Sequence, residues 1–349
     1  MAAQRSARVP KGERAPSMHD VATLAGVSHQ TVSRVLNGFA GVRPDTKTDV
    51  LAAIEQLGYR RNNAARALVL GRSQAIGVLV PNTPNFGPTS SLYAVETAIR
   101  KAGFQPLITV TSEDAPSVEG ALDFLFDHAV EALVLMAAVR DVLDVVDAHV
   151  VKVPVAYLLT GDERGQWSVS VDQEGAVALA IGHLVDQGHS RIQHISGPLR
   201  STEALLRSEA VDREFACRGL ERLPTLHGDW TPASGNRLAS QLDPSTTAVL
   251  CGNDQMAMGV VHALAYEGFR VPEDMSVIGI DDIPESAFFL PALTTVSQDF
   301  SAVGELAVEL LVAAISGEEL PDTTPLPAKL VVRASVAAPR EARFLERRA

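Results

Sequence analysis

Cysteine and long apolar runs are scarce in this chain of 349 residues. Its only two cysteines, Cys217 and Cys251, each lie within a segment typical of a globular core, so no disulfide framework is expected. No apolar run reaches the roughly 18 residues that a membrane span requires. Residues 1–16 are polar and basic without an apolar middle, which argues against a secretory signal and predicts a disordered basic tail. A soluble cytoplasmic protein with no membrane partner is therefore expected.

The sequence also lacks the short motifs of several enzyme classes. It contains no G-x-S-x-G elbow, no P-loop, no H-E-x-x-H and no G-x-G-x-x-G. His183 and His189 have no third ligand nearby, so a place on a helix surface is favoured over a metal site. No metal or cofactor is predicted. The single candidate for acid–base chemistry is the pair Asp281 and Asp282, which leaves an enzyme acting on sugars as an alternative.

Residues 18–37 have the pattern of a helix-turn-helix. A first helix is predicted over Asp20–Ala25, and Gly26 permits the left-handed turn that a residue with a Cβ resists. Ser28 can cap the second helix by accepting a hydrogen bond from the amide of Thr31. An ordinary helical hairpin is the alternative, but the small, glycine and cap positions of a helix-turn-helix are all filled together.

The second helix of this motif, His29–Leu36, is predicted to be amphipathic. The apolar residues that should form the buried side of the two helices are Val21, Leu24, Val32, Val35 and Leu36, with Val27 at the corner. The polar residues of the second helix that could meet base edges and phosphates are His29, Gln30, Ser33 and Arg34. The pattern therefore predicts a helix that enters a DNA groove.

A third helix is predicted between Pro44 and Gly58, since proline suits a helix start and glycine a helix end. Its apolar stripe consists of Val50, Leu51, Ile54 and Leu57. Residues 1–72 hold 11 Lys and Arg against 5 Asp and Glu, a net charge of +6, while the whole chain carries −12 and the remainder −18. An acidic protein with a basic amino end is expected to contact phosphate only through that end.

From Ser73 onward short apolar strands alternate with amphipathic helices. The predicted elements are strands Ile76–Val80, Pro106–Val110, Ala132–Met136, Val153–Leu159, Ile192–Ile195, Ala248–Leu250 and Val277–Ile280, and helices such as Ser91–Ala102, Ala176–Gln187 and Met256–Gly268. This alternation indicates parallel sheets covered on both faces, and the length fits two doubly wound lobes better than one sheet. Ligands of such folds bind beyond the carboxyl ends of strands, here at Pro81–Pro88, Gly197–Arg207, Cys251–Asp254 and Gly279–Ile283.

Polar side chains follow two of these strands, at Asn253–Asp254 and at Asp281–Asp282. Such groups donate and accept hydrogen bonds in fixed geometry, which favours recognition of a polyol over catalysis. Trp230 is one of only two tryptophans, and its ring suits either the core or the apolar face of a sugar. Residues 62–71 favour a short helix that needs a packing partner, with a plain linker as the alternative.

With these parts assembled, residues 17–340 resemble the LacI/GalR family of sugar-responsive transcription regulators. The resemblance is carried by DVATLAGVSHQTVSRVLNG, AARAL, HLVDQGHSRIQHISGPL, CGNDQMAMG, VPEDMSVIGIDDIPESAFFLPALTTVSQDF and LVVRAS. It implies an N-terminal all-α helix-turn-helix headpiece and a two-lobe α/β core of the type I periplasmic-binding-protein kind, each lobe a doubly wound parallel sheet. The implied domains are a disordered tail at 1–16, a headpiece at 17–61, a hinge helix or linker at 62–72, a core at 73–340 and a tail at 341–349. Within the core, the N-lobe takes about 73–170 and 300–327, and the C-lobe about 171–299 and 328–340.

The resemblance also implies roles for single residues. The residues that it implies contact DNA, by reading bases, bonding phosphates or inserting between base steps, are Met18, His19, Ser28, His29, Gln30, Thr31, Ser33, Arg34, Asn37, Asn62 and Leu68. Contacts to an effector fall on Arg207, Trp230, Asn253, Asp281, Gln298 and Phe300. The H-G-D-W and S-Q-D-F segments resemble galactoside-responsive members more than purine-responsive ones, which favours a β-galactoside, β-glucoside or related oligosaccharide.

Several positions depart from the family pattern. Asn85-Phe86-Gly87-Pro88 stands where the family has an Asn-Pro-Phe-Phe loop, and Leu158 stands where galactoside-responsive members have an aspartate that touches the sugar. Ala210 and Val211 replace a Gly-aromatic pair, and Arg61 replaces a proline before the hinge. No leucine heptads follow Pro339, so a homodimer is expected rather than a tetramer.

The implied function is repression of transcription through a pseudo-palindromic double-stranded operator, with release by a sugar bound between the lobes. A corepressor-dependent regulator or an activator of the same fold is an alternative. A sugar-binding transport protein is another, but it predicts an export signal and no headpiece.

Overall fold

The computed structural model of the chain describes residues 16–36, 38–60, 72–112, 114–136, 139–149, 151–158 and 165–339. The chain divides into two compact units, Met1–Ser73 and Gln74–Ala349. Among the described residues, no helix is both long and apolar enough to cross a membrane. In the same ranges, no group of three or more His, Cys, Asp or Glu side chains could hold a metal ion.

The first unit contains three helices: α1 (Met18–Leu24), α2 (His29–Leu36) and α3 (Pro44–Leu57). α1 begins before the predicted start because Ser17 and Asp20 cap each other, the Asp20 carboxylate accepting a hydrogen bond from Ser17 N at 2.7 Å. α2 has the predicted bounds, and Ser28 Oγ accepts from Thr31 N at 3.1 Å as expected. Gly58 ends α3 in the left-handed conformation, with φ at 61°.

The core of this first unit differs from the prediction at two positions. Leu24 and Leu51, predicted to be buried, are 45% and 48% exposed. Ala22, the small residue of the helix-turn-helix pattern, is buried as that pattern requires, and Ala53 is buried as well; α1 packs against α3. Because alanine lets two helix backbones approach closely, the buried stripe of each helix is rotated and the leucines point outward.

The first of two α/β subdomains in the second unit is built on a five-stranded parallel sheet of order β2-β1-β3-β4-β5. Its strands are Ala75–Pro81 (β1), Gln105–Thr111 (β2), Ala132–Met136 (β3), Val155–Leu158 (β4) and Ser168–Val169 (β5). Its helices are α4 (Phe86–Lys101), α5 (Ala115–Asp127), α6 (Arg140–Ala148) and, much later in the chain, α11 (Phe300–Ser316). α4 and α11 pack on one face and α5 and α6 on the other, so the sheet is doubly wound.

The second subdomain has a six-stranded sheet of order β11-β10-β9-β8-β6-β7. Its strands are Ile192–Ser196 (β6), Leu226–His227 (β7), Ala248–Cys251 (β8), Ser276–Asp281 (β9), Thr294–Ser297 (β10) and Lys329–Val331 (β11). Its helices are α7 (Gln173–Asp186), α8 (Thr202–Arg218), α9 (Pro232–Ala239) and α10 (Asp254–Tyr266). Every neighbouring pair is parallel except β10 and β11, because β11 enters from the first subdomain. The predicted fold class is confirmed, with this antiparallel edge as an addition.

Several helices begin earlier than predicted. Asp172 Oδ1 accepts a hydrogen bond from Gly175 N at 2.8 Å and starts α7, and Asn253 Oδ1 accepts from Met256 N at 2.9 Å and starts α10. α4 includes Pro88 in its first turn, where proline is tolerated. The prediction placed the starts of α7 and α10 at an apolar residue and therefore missed their polar first turns. It placed the start of α4 at Ser91 and missed the turn that contains Pro88.

His189 is not on a helix surface, contrary to the prediction. It lies just after α7, is 2% exposed, and its ring makes hydrogen bonds to Thr247 Oγ1 at 2.9 Å and Ser276 Oγ at 3.0 Å. Burial lowers the pKa of this histidine. His183 is half-buried on α7.

Three described segments connect the two subdomains: residues 170–172, 298–299 and 317–328, called here the crossovers. The first and third run side by side. Asp172 N donates to Leu326 O at 2.8 Å, and Leu326 N donates to Ser170 O at 2.9 Å. The first and third crossovers are therefore joined by backbone hydrogen bonds at the junction of the two subdomains.

Candidate DNA-contacting helix and ligand cleft

α2 presents its polar residues away from the core of the first unit. His29, Gln30 and Arg34 are exposed, while Thr31 and Ser33 are half-buried. Of the other residues assigned to DNA, Met18 is half-buried, His19 and Ser28 are exposed, and Asn37, Asn62 and Leu68 lie outside the described residues. The exposed face of α2 therefore carries hydrogen-bond donors and one cation that could contact a DNA duplex. These contacts stay a prediction.

A cleft of about 730 Å³, part of it open to solvent, lies between the two subdomains. Five of the six residues predicted to contact an effector line it: Arg207, Trp230, Asn253, Asp281 and Phe300. On one side of the cleft Val139 of the first subdomain pairs with Ser201 of the second through backbone hydrogen bonds. All four predicted strand-end segments contribute to the cleft walls.

Arg207 is the charged centre of the cleft. It projects from α8, is 3% exposed, and its Nε donates to Gln173 Oε1 at 2.8 Å. Its Nη1 donates to Gly252 O, and its Nη2 lies 3.8 Å from Glu203 Oε1. Burial raises the pKa of the Glu203 carboxyl, and the charge of Arg207 opposes that rise. A buried guanidinium with fixed partners is a rigid donor for a ligand oxygen.

Asp281 ends β9 and lines the opposite part of the polar wall. Its Oδ1 accepts a hydrogen bond from Gln298 Nε2 at 2.6 Å. Burial raises the pKa of Asp281 to about 8, while the positive charge of Arg207 and the hydrogen bond from Gln298 act against it. Gln298, also predicted to contact the effector, lies behind Asp281 and is absent from the cleft lining.

The two other carboxylates at these strand ends do not face the cleft. Asp254 is fully buried and accepts hydrogen bonds from Ile283 N at 3.0 Å and Ser286 Oγ at 2.6 Å. Burial raises the pKa of Asp254 to about 6, although these hydrogen bonds lower it. Asp282 Oδ1 lies 2.6 Å from Arg333 Nη2. Of these four residues, Asn253 and Asp281 line the cleft, whereas Asp254 and Asp282 bond to other parts of the second subdomain.

Trp230 is both a core residue and a cleft residue, and its contact with a sugar stays a prediction. Its ring packs against the buried cluster between α9 and α10, and it also lines the cleft. A Cβ on Gly197 would lie 2.1 Å from this ring, so the indole rests directly on backbone. The Arg207 guanidinium lies 5.5 Å from the ring centroid, and Asn253 Nδ2 donates to Trp230 O at 3.1 Å.

The first subdomain supplies an aromatic wall facing this one. Phe300, at the start of α11, meets Phe86 edge to face with ring centroids 5.9 Å apart. A Cβ on Gly87 would come within 3.3 Å of the Phe300 ring, so the altered loop sequence allows the ring to approach the helix backbone. Of the other departures, Leu158, Ala210 and Val211 are fully buried in the subdomain cores and add no polar group to the cleft, and Arg61 lies outside the described residues.

Sequence reasoning missed several cleft residues. Four residues of the predicted strand-end segments line the cleft without having been named as ligand contacts: Thr83, Arg200, Ser201 and Glu203. Gln173, which bonds Arg207 from behind, lies outside those segments. Glu203 could have been found, since it lies four positions before Arg207 on one helix face. Gln173 could not, because its partner is distant in sequence.

Comparison with known proteins agrees with this architecture. Residues 17–62 match the family described as bacterial regulatory proteins, lacI family, and residues 181–336 match a periplasmic binding protein-like domain. The lactose operon repressor of Escherichia coli (strain K12) is 31% identical over 328 residues, which is 93% of this chain and 91% of that one. The HTH-type transcriptional repressor PurR of Haemophilus influenzae (strain PittEE) is 33% identical over 311 residues, 87% of this chain and 92% of that one.

Solved structures give the same result. The lac repressor dimer bound to operator and the anti-inducer ONPF superposes with a TM-score of 0.85 at 30% identity, covering 93% of this chain and all of that one. A complex of the transcriptional regulator CelR with cellobiose superposes with a TM-score of 0.67 at 28% identity, covering 92% and 99%. The chain therefore belongs to the LacI family of bacterial regulatory proteins and is a DNA-binding transcriptional repressor, not an enzyme.

Proposed function

We propose that this repressor binds a pseudo-palindromic operator as a homodimer and is released from it by a sugar held in the cleft. The observation that carries the proposal is the composition of the cleft. Trp230 and Phe300 offer aromatic faces, while Arg207, Asn253 and Asp281 offer buried polar groups of fixed orientation. A pyranose combines apolar C–H faces with a rim of hydroxyls, and this set of groups complements both.

A β-galactoside, a β-glucoside or a related oligosaccharide is the effector class we favour. The relatives include the lactose operon repressor and a regulator solved with cellobiose, which supports a glycoside. They also include PurR repressors, so a purine is the competing class. The carboxyl of Asp281 supports the sugar, because Gln298 bonds its Oδ1 and its Oδ2 can bond a hydroxyl as acceptor or, when protonated, as donor.

The mechanism we propose is a population shift between two arrangements of the subdomains. To change operator occupancy from 99:1 to 1:99, the effector must prefer the released arrangement by about 5.5 kcal/mol. A few hydrogen bonds to charged groups, each contributing about 1.5–3 kcal/mol, are enough. In this scheme residues 62–72 form the hinge between headpiece and core, Leu68 wedges into the minor groove and Asn62 positions the hinge.

The test combines ligand screening with operator binding. The full-length protein is screened by thermal shift against lactose, cellobiose, their monosaccharides and adenine, and each hit is added to a fluorescence-anisotropy titration of DNA from upstream of its own gene. We expect one glycoside to raise the melting temperature and weaken operator binding at least about 100-fold. A purine hit with no glycoside hit would overturn the sugar assignment, and a ligand that tightens operator binding would make the protein corepressor-dependent.

A further inference from the structure

A chain of buried hydrogen bonds runs behind the cleft from Arg207 to Asp281. Arg207 Nε donates to Gln173 Oε1 at 2.8 Å, and Gln173 Nε2 donates to Gln298 Oε1 at 2.9 Å. Gln298 Nε2 then donates to Asp281 Oδ1 at 2.6 Å. All four residues are less than 8% exposed. Both ends of this chain line the cleft, and the two glutamines in its middle do not contact the main cleft.

The direction of every bond in this chain is fixed by its two ends. A guanidinium can only donate, so Gln173 must turn its Oε1 toward Arg207 and its Nε2 toward Gln298. Gln298 must then turn its Nε2 toward Asp281, whose Oδ1 accepts. A flipped amide at either glutamine would place donor against donor or acceptor against acceptor in a buried site. Any proton on Asp281 is consequently confined to Oδ2.

The two glutamines also stand next to the crossovers. Gln173 directly follows residues 170–172, the crossover that is hydrogen-bonded to Leu326 of the third crossover. Gln298 begins the second crossover, which leads into α11. The single bond between these two side chains therefore joins crossovers that lie 125 positions apart in the sequence. Any rotation of one subdomain against the other must act on the backbone beside this bond.

We propose that Gln173 is a positioning residue that couples the cleft to the crossovers. It holds the Arg207 guanidinium in place, fixes the orientation of Asp281 through Gln298, and clasps two crossovers together. This inference rests on the proposed function and extends it, because a ligand that contacts either end of the hydrogen-bonded chain changes the bond between the crossovers.

The test uses Gln173→Met, which keeps the length of the side chain and removes its hydrogen bonds. Gln193→Met is the matched control, since Gln193 is also buried and bonds Pro224 O, Asp243 N and Thr246 Oγ1 away from the cleft. Both variants should lose thermal stability. Only Gln173→Met should accelerate amide hydrogen exchange about tenfold at residues 299–303 and 326–328 of the full-length protein. Gln298→Met provides a second variant if Gln173→Met does not fold.

Ligand response gives a second readout. With the glycoside that shifts the melting temperature of the wild type, Gln173→Met should retain operator affinity without ligand and lose about tenfold of the ligand-induced release, while Gln193→Met keeps the full response. Exchange at the crossovers that matches the control would overturn the coupling role. That result leaves the proposed function intact, which fails only if the wild type itself does not bind its operator or does not respond to any ligand.

Discussion

Trp230 keeps its place in the cleft because the two residues beneath its ring have no side chain. A Cβ on Gly197 would lie 2.1 Å from the indole, and one on Gly252 would lie 3.1 Å from it. The backbone of Trp230 itself has φ at 69°, a conformation that β-carbon-bearing residues rarely adopt. The rare backbone conformation of Trp230 and the glycines that its ring requires both reduce the stability of the fold. The surrounding packing and the hydrogen bond from Asn253 offset this loss of free energy.

Gly197→Ala should therefore displace the indole and destabilise the protein by about 1–3 kcal/mol. Thermal melting measures the loss, and tryptophan emission in a Trp167→Phe background reports on the ring of Trp230. Gly120→Ala is the control, because a Cβ there meets nothing within 4 Å and a helix interior favours alanine by up to about 1 kcal/mol. An unchanged emission spectrum in Gly197→Ala would contradict the packing described here.

Asp281 makes stability depend on pH. Its pKa is raised from 3.8 to about 8 by burial, so between these values the folded chain holds a proton that the unfolded chain has lost. This contribution to the free energy of unfolding is fully present below the lower value and is lost as pH rises through the upper one. Asp281→Asn should remove that dependence, and its melting temperature should fall less than that of the wild type between about pH 5 and pH 9.

Asp322→Asn is the control for this measurement. Asp322 is exposed, and hydrogen bonds from Thr324 lower the pKa of its carboxyl, so its contribution changes only in more acidic solution. Its melting curve should follow the wild type across the tested range. If the melting temperature of Asp281→Asn fell with pH as steeply as that of the wild type, another group would be responsible for the pH dependence.

At the scale of elements, α2 shows how a short surface helix depends on its surroundings. It has eight residues, too few to persist alone in water, so its packing and its cap decide whether it forms. Ser28→Ala removes the acceptor of Thr31 N and should destabilise the helix by about 1 kcal/mol. Hydrogen exchange at residues 29–36 without DNA measures this, and Thr48→Ala, an exposed hydroxyl bonded to Pro44 O, should leave exchange unchanged.

Periodicity and capping predicted most elements of the fold, and the errors have physical causes. α2 and β3 have the predicted bounds because the periodic pattern of apolar residues begins and ends where these elements do. α7 and α10 begin two or three residues early because polar first turns carry no apolar signal. Leu24 and Leu51 were placed in the core because hydropathy ranks leucine above alanine, whereas close helix contact favours the smaller side chain.

The cleft was predictable to the extent that it is local. Residues at strand ends, such as Asn253 and Asp281, are marked by the segments that precede them. Gln173 and Gln298 meet only because two crossovers lie together, and a bond between positions so far apart has no signature in a single sequence. Asp254 does not line the cleft for the same reason: its hydrogen-bond partners, Ile283 after β9 and Thr295 on β10, are distant in the sequence.

At the scale of the whole molecule, charge and chain organisation separate the two tasks of the repressor. The basic residues that would meet phosphate are concentrated in residues 1–72, and residues 73–349 carry a net charge of −18. The headpiece unit and the core unit each have their own buried cluster. Substitutions in one unit should therefore alter one task and leave the chemistry of the other unchanged.

A crossed pair of variants tests this separation. Arg34→Ala should reduce discrimination between the operator and random DNA by about 1–3 kcal/mol while the glycoside still raises the melting temperature as in the wild type. Arg207→Lys should do the reverse, because an ammonium cannot reproduce the guanidinium fork that bonds Gln173 and Gly252. Operator affinity without sugar should stay within about twofold, while the sugar dissociation constant rises about 10- to 100-fold. If Arg34→Ala instead weakened binding to every duplex equally and made the salt dependence shallower, Arg34 would contact phosphate rather than a base.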